Sequence, residues 1–356
     1  MNLLYFNKAQ GAKSLTAKAL CAKILSRMET PKMKKLVCVL LAALMCISAV
    51  AFTACTPAND GKYVVGICQL LPHPALDAAT QGFMDALKAE LGEENVTFYN
   101  ENAANDIPMC TTIVNNLVNK NVNLIMANAT PALAAAVNGT DTIPVLGTSI
   151  TEYGTALGIE NFNGLVGGNV SGTSDLAPLD QQAEMIVDLF PEAKTVAMLY
   201  CLAEPNSKYQ VQEVKKFLEA KGITVIDKAF TDSNDVTTVA SAAAKEADVI
   251  YIPTDNTAAG CAEAIGSVIG NTPVIVGEEG ICKGCGVATL TIDYYDLGVA
   301  TGKMAAKILK GEAKISEMNI EYAATFTKKY NKDICEQLGI DTAALEAKGY
   351  IAIETE

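Results

Sequence analysis

Short apolar runs alternate along this chain with segments of helical periodicity. Residues 63–69 (Tyr-Val-Val-Gly-Ile-Cys-Gln) read as a buried strand, because apolar residues follow one another with little polar alternation. Residues 75–91 place Leu76, Ala79, Phe83, Leu87 and Leu91 at helical spacing. The pattern continues with strand 96–99, helix 107–119, strand 123–127, helix 131–137 and strand 143–147. A second series follows: strand 195–200, helix 207–220, strand 223–230, helix 236–245, strand 249–252, helix 257–269 and strand 274–277. Apolar strands alternating with helices predict an α/β fold whose parallel sheets are covered by helices on both faces.

The two series echo each other. Asn-Leu-Ile-Met-Ala-Asn-Ala-Thr at 123–130 parallels Asp-Val-Ile-Tyr-Ile-Pro-Thr-Asp at 248–255. Each leads into an Ala-rich helix and then a Pro-containing strand, at 142–147 and 272–277. The echo predicts two Rossmann-like lobes with parallel sheets, joined by a hinge, with a ligand cleft between them. The stretch 163–180, rich in Gly, Ser and Asp, fits the crossover. The chain is expected to cross back near 291–294, so that a helix at 295–309 packs on the first lobe. The expected lobes are 62–175 plus 292–318, and 176–291 plus 319–356.

Upstream of the first lobe, Lys34 and Lys35 lead into an almost unbroken apolar run, 36–52, followed by Thr53, Ala54 and Cys55. A basic start, a short apolar segment and small residues are the parts of an export signal. The run is shorter than the ~20 residues a spanning helix needs. A cysteine directly after the small residues resembles the bacterial lipoprotein signal, in which that cysteine is lipid-modified and becomes the new N-terminus. The expectation is a signal peptide at 33–54, a lipid-anchored Cys55, a linker at 55–61 and a domain working outside the cytoplasm. Residues 1–32 read as an upstream extension, with Met33 as the start of translation.

Removing 1–54 changes the charge balance. That segment holds eight of the 27 basic residues and one of the 40 acids, leaving 19 against 39 and a net charge of −20. Such a surface argues against nucleic acid, which needs clustered Lys and Arg. The only Arg is Arg27, so beyond it no guanidinium is available to clamp a ligand carboxylate. Backbone N–H groups, hydroxyls or Lys must do so instead. Cys68, Cys110, Cys201, Cys261, Cys282, Cys285 and Cys335 read mostly as unpaired core thiols. Cys282-Lys-Gly-Cys285 is a lone pair without the further ligands that a zinc site requires. No metal and no cofactor is expected.

Several stretches, in order, resemble the type I substrate-binding lipoproteins of ABC importers, in the branch called tryptophan/tyrosine-type. They are Gln-Leu-Leu-Pro-His-Pro-Ala-Leu-Asp at 69–77, Ala-Thr-Pro at 129–131, Gly-Thr-Ser-Asp at 172–175 and Glu-Pro-Asn-Ser at 204–207. Tyr-Ile-Pro-Thr-Asp-Asn at 251–256, Pro-Val-Ile-Val-Gly-Glu-Glu at 273–279 and Asp-Tyr-Tyr-Asp-Leu-Gly at 293–298 complete the set. The resemblance implies the extracytoplasmic solute-binding component of an importer. It would capture a small amino-acid-like ligand, aromatic such as tryptophan or tyrosine, by hinge closure. The implied partners are an ABC permease with its cytoplasmic ATPase, the acting species is a monomer, and no chemistry is performed. A purine nucleoside or other small solute, or a sensor that presents its ligand, stays open as an alternative. An exported enzyme is the rival class. Asp255, Glu278 and Glu279 would be its acid and base, but no nucleophile motif or cofactor fingerprint accompanies them.

Ligands of open parallel sheets bind outside the carboxyl ends of the strands. Candidate residues are therefore those that follow strand ends. Thr130 before Pro131 suits a helix N-cap, and equally a helix start that offers amides to a carboxylate. Thr148 and Ser149 add hydroxyls after strand 143–147. Asp255 and Asn256 sit at the matching turn of the second lobe, where Asp255 serves either as a helix cap or as an ammonium partner. Glu278 and Glu279 are alternative ammonium partners, and Asn206 and Ser207 open a helix. Ser174 and Asp175 fall in the crossover, Gln69 ends the first strand, and His73 lies between Pro72 and Pro74. His73 reads either as an exposed loop residue or as a ligand contact.

Overall fold

The first sheet grows from strands whose alternate residues are apolar on both faces. The structure, a computed structural model, describes residues 62–354; the expected signal peptide, Cys55 and the extension before them lie outside the described residues. β1 (Tyr63–Gln69), β2 (Val96–Asn102), β3 (Leu124–Asn128), β4 (Val145–Ile150), β5 (Val170–Ser174) and the short β11 (Glu321–Tyr322) form a six-stranded sheet. Its order is β11-β5-β4-β3-β1-β2, and each pairing is parallel. Along β3, Leu124 and Met126 join one core with Val65 and Ile67, while Ile125 and Ala127 join the other with Cys68. A period of two thus serves two cores, and helices must cover both faces. α2 (Ile107–Asn119) and α3 (Thr130–Gly139) bury one face. α1 (Pro74–Leu91) and α11 (Tyr294–Leu309) bury the other.

The second sheet repeats this logic with β6 (Thr195–Cys201), β7 (Thr224–Phe230), β8 (Val249–Ile252), β9 (Val274–Val276), β10 (Ala288–Thr291), β12 (Thr327–Tyr330) and β13 (Ile351–Ala352). Its order is β13-β12-β10-β9-β8-β6-β7, and the β10–β12 pairing is antiparallel. Val196, Met198 and Tyr251 face one core, and Ala197, Leu199, Ile250 and Ile252 the other. Around it lie α5 (Leu179–Leu189), α6 (Pro205–Ala220), α7 (Val236–Glu246), α8 (Asn256–Ala259), α9 (Ala262–Gly266), α10 (Glu279–Cys285), α12 (Lys332–Leu338) and α13 (Thr342–Ala347). A short helix, α4 (Tyr153–Leu157), follows β4 in the first lobe.

Three passages of chain link the sheets: after β5, after β10, and between β11 and β12. Residues 319–322 fall with the first sheet, not with the second lobe as expected. Ile320 is buried in the first lobe's core, and β11 covers the edge of β5. β5 itself, Val-Ser-Gly-Thr-Ser, reads as a polar crossover in the sequence yet is wholly buried. Its hydroxyls are satisfied internally: Thr173 Oγ1 lies 3.3 Å from Thr148 Oγ1 and 2.8 Å from Thr301 Oγ1. The helix expected over 257–269 is broken into α8 and α9 at Cys261, whose φ of −121° leaves the helical range. The seven cysteines of the described residues are free thiols, and six are buried.

α1 and α11 cross at glycines. A Cβ added at Gly298 would lie 2.0 Å from the carbonyl oxygen of Ala79, and one at Gly82 would lie 2.1 Å from that of Tyr295. The obstacle is backbone, which cannot rotate away as a side chain can. Gly298→Ala should therefore push the two helices apart and cost about 1–3 kcal/mol. Thermal unfolding checks this: the midpoint should fall by several degrees, and an unchanged midpoint would mean that the crossing is not tightly packed.

Candidate functional site

The two lobes touch each other where their strands end. His73 Nε2 lies 3.3 Å from Asn256 Oδ1, and Asn105 Nδ2 donates to Thr257 Oγ1 at 3.2 Å. α4 of the first lobe packs against α6 of the second. His73 and Asn256 of the candidate residues lie on this seam, and all the candidates except Glu279 are buried. They divide into those whose polar atoms are already used and those with an atom left over.

The committed group comes first. Gln69 donates to Leu71 O and Asp77 and accepts from Thr80, which fixes the β1 end and the start of α1. Thr148 belongs to the hydroxyl cluster with Thr173 and Thr301. Ser174 Oγ donates to Thr151 O and accepts from Leu176 N, shaping the first crossover. Asp255 accepts from Cys201 N at 2.7 Å and from Ala258 N at 2.8 Å, so it caps α8 and ties it to β6. Glu278 accepts from Gly280 N and Ile281 N, one amide on each oxygen, and caps α10. Glu279 is paired with Lys329. Ser207 Oγ accepts from Asn206 Nδ2. The capping alternative thus describes Asp255 Oδ1, and Glu278, expected only as an ammonium partner, is also a helix cap.

The second group is smaller. Among the described residues, the buried side-chain atoms without a partner include His73 Nδ1, Ser149 Oγ, Asp175 Oδ1 and Asn206 Oδ1. Each belongs to a residue proposed from the sequence; Asn128 Oδ1 and Thr289 Oγ1 share the condition. A buried polar atom without a partner costs about 1–3 kcal/mol. Short chains of contacts connect these four residues. Asp175 N donates to Ile150 O, beside Ser149. The hydroxyl of Tyr294 donates to Asp175 Oδ2 at 3.0 Å and lies against Thr254, whose carbonyl accepts from Asn206 Nδ2. Asn256 joins His73 to Glu204, which in turn holds Asn206.

Backbone geometry supports the same spot. Ser149 has φ +55°, the left-handed region that a non-glycine residue adopts only when its surroundings hold it there. The β4–β5 register slips between Gly147 and Ile150, and this slip aims Ser149 differently from its neighbours. Thr130 is the first residue of α3 and not its cap. The cap position is Ala129 (φ +87°), whose methyl group cannot accept a hydrogen bond, so the α3 N-terminus is left without a side-chain cap. It therefore keeps amides and a favourable dipole for an anion.

Burial sets the electrostatics. Asp175 is 4% exposed, and burial raises its carboxyl to about 6, only partly offset by the Tyr294 hydroxyl. Burial first, and Asp175 second, push the Tyr294 phenol well above its ordinary value. Asp255 is pushed upward by burial and by the nearby charge of Glu204. A cavity of about 840 Å³ opens beside this seam, lined among others by His73, Glu278, Glu279, Tyr294 and Lys329. Its size is in the range of small-molecule sites.

Two residues here were missed by sequence reasoning. Glu204, 2% exposed, accepts five hydrogen bonds from Asn206, Asn256 and Thr257. Its sequence signals are an acid before Pro205 at a helix start and a place in the Glu-Pro-Asn-Ser stretch at 204–207. Tyr294 looks like a crossover residue in the sequence, but its phenol donates to Asp175, whose other carboxylate oxygen has no partner.

Comparison with known proteins identifies the family. The model of the family described as ABC transporter substrate binding protein matches residues 64–346. A tyrosine-binding protein of Clostridioides difficile (strain R20291) is 32% identical over 303 residues, covering 79% of this chain and 86% of that protein. An ABC domain in complex with L-Trp from Streptococcus pneumoniae has a TM-score of 0.77 at 32% identity, covering 82% of this chain and 100% of that one. A ligand-free, open substrate-binding protein with adhesive properties from Clostridium difficile has a TM-score of 0.64 at 34% identity, covering 83% and 100%. With the family model spanning both lobes and the linking passages, this chain belongs to the ABC transporter substrate-binding protein family.

Proposed function

We propose that the protein captures an aromatic amino acid, tyrosine or tryptophan, between its lobes outside the cytoplasm and hands it unchanged to an ABC permease. The carrying observation is the set of four buried, unpartnered polar atoms on His73, Ser149, Asp175 and Asn206. They suit a zwitterion. Asp175 Oδ1 and Asn206 Oδ1 accept from an ammonium. Ser149 Oγ and the uncapped start of α3 at Thr130 donate to a carboxylate. Asn256 Nδ2 is used by Glu204, so its Oδ1 faces His73 Nε2, which must then donate. His73 Nδ1 is left as an acceptor, suited to a phenol O–H or an indole N–H. The ammonium is assigned to Asp175 and not to Asp255 or Glu278 because each oxygen of those two already accepts an amide, whereas Asp175 Oδ1 accepts nothing.

Two further facts support the reading. The relatives' ligands, tyrosine and L-Trp, are of this class. At nearly equal identity the chain superposes better on the L-Trp complex (0.77) than on the ligand-free, open protein (0.64), as closed lobes would. Anchoring through a lipid on Cys55, cleavage after residue 54 and action as a monomer complete the proposal. Mass spectrometry of the membrane fraction would detect the acylated Cys55, whereas an intact segment 33–54 on the protein would reject it.

The first test is a binding titration of the purified protein with tyrosine, tryptophan and phenylalanine, with adenosine as the contrasting solute. The chain contains no Trp, so a tryptophan ligand supplies the only indole signal. Micromolar affinity corresponds to about 8 kcal/mol. Asp175→Asn should remove a hydrogen bond to a charge and weaken binding about 10- to 100-fold, while Asp255→Asn should act mainly on stability. Binding of adenosine alone would overturn the ligand class.

The second test is pH. Asp175 is raised in the folded protein from 3.8 to about 6. An ammonium needs it ionised, so affinity should weaken about tenfold per pH unit below about 6. The same shift makes the ligand-free fold gain stability as pH falls through 6 towards 3.8, and lose that contribution as pH rises. Calorimetry from pH 5 to 8 should reveal a shallower slope in Asp175→Asn than in the parent, with the contribution of the raised Asp255 common to both; identical slopes would mean that Asp175 is not the raised group.

A further inference from the structure

Glu204 is a buried carboxylate with no cation among its hydrogen-bond partners. Its Oε1 accepts from Thr257 N and Thr257 Oγ1, each at 2.8 Å. Its Oε2 accepts from Asn256 N at 3.0 Å, Asn256 Nδ2 at 2.6 Å and Asn206 Nδ2 at 3.1 Å. All five donors belong to the second lobe. Two of the three residues they come from also make the side-chain hydrogen bonds that span the lobes: Asn256 to His73 and Thr257 to Asn105. The third, Asn206, carries one of the unpartnered atoms assigned to the solute.

From this arrangement we propose that Glu204 is a positioning residue that couples solute recognition to lobe closure. It holds the second-lobe half of both cross-lobe hydrogen bonds, together with the solute-facing Asn206, in one fixed constellation. This rests on the solute-receptor reading. The cross-lobe bonds exist only when the lobes meet, whereas the five bonds to Glu204 lie within one lobe and persist when the lobes separate. The closing surface is thus set before closure, and no rotamer search of Asn256 or Thr257 accompanies it. A ligand shifts a two-state equilibrium only by contacts that differ between the states. Asn206 and the latch residues share one carboxylate, so a change in either is felt by the other.

Glu204→Gln is the direct test. Glutamine keeps the shape but presents an NH₂ group where donors converge, so at least one oxygen's set of contacts must break. Hydrogen exchange reads this without any ligand. The amides of Asn256 and Thr257 should lose protection at least about tenfold. Those of Cys201 and Ala258, which donate to Asp255, should keep theirs. Titration with L-tyrosine and L-tryptophan should show affinity about tenfold weaker in Glu204→Gln. Asn105→Gly removes one cross-lobe bond without touching Glu204, and glycine accepts the φ of +64° found there. It should weaken binding as well, and the double variant should lose less than the product of the two. Unchanged exchange at Asn256 and Thr257, parental affinity in either single variant, or strictly multiplicative losses would each overturn the proposal. Parental protein that binds neither amino acid would overturn the receptor reading, and the exchange result would still decide whether Glu204 positions the pair.

Discussion

A carboxylate taken out of water must meet donors or a cation, or it reverts to the neutral acid. Asp175, Glu204, Asp255 and Glu278 are each less than 5% exposed, and all lie along the seam between the lobes. Arg27 is the only arginine of the sequence, so no guanidinium of the two lobes answers them. The fold answers with N–H and O–H groups instead. The starts of α8 and α10 give amides to Asp255 and Glu278, and Glu204 collects five donors. Asp175 is the exception, with one oxygen on Tyr294 and the other unanswered. The proposed ammonium contact rests on that imbalance, and the acidic balance of the whole chain adds no competing positive field.

The architecture was largely legible because periodicity carries it. Strands such as β3 and β8 are continuous apolar runs, and their helices follow at regular intervals. What escaped was polar but buried. β5 reads as a crossover because Ser171, Thr173 and Ser174 look solvent-seeking until Met318, Thr148, Thr151 and Thr301 are brought to them from far along the chain. β11 is two residues long, too short to leave a pattern.

At the site, strand-end reasoning selected residues that the structure buries, since strand ends follow from topology. It did not separate recognition from support. Asp255, Glu278 and Asp175 look alike in sequence, and only the donors around each show that two are caps and one is not. Glu204 was hidden by the same limit, because its partners Asn256 and Thr257 lie 52 and 53 residues away.

A crystal structure of the protein with L-tryptophan or L-tyrosine tests the central claim most directly. The account predicts the ligand ammonium within hydrogen-bond distance of Asp175 Oδ1 and Asn206 Oδ1, with the carboxylate near Ser149 and the start of α3. An ammonium held instead by Glu278 or Glu279 in the neighbouring cavity, with Asp175 Oδ1 untouched, would contradict it.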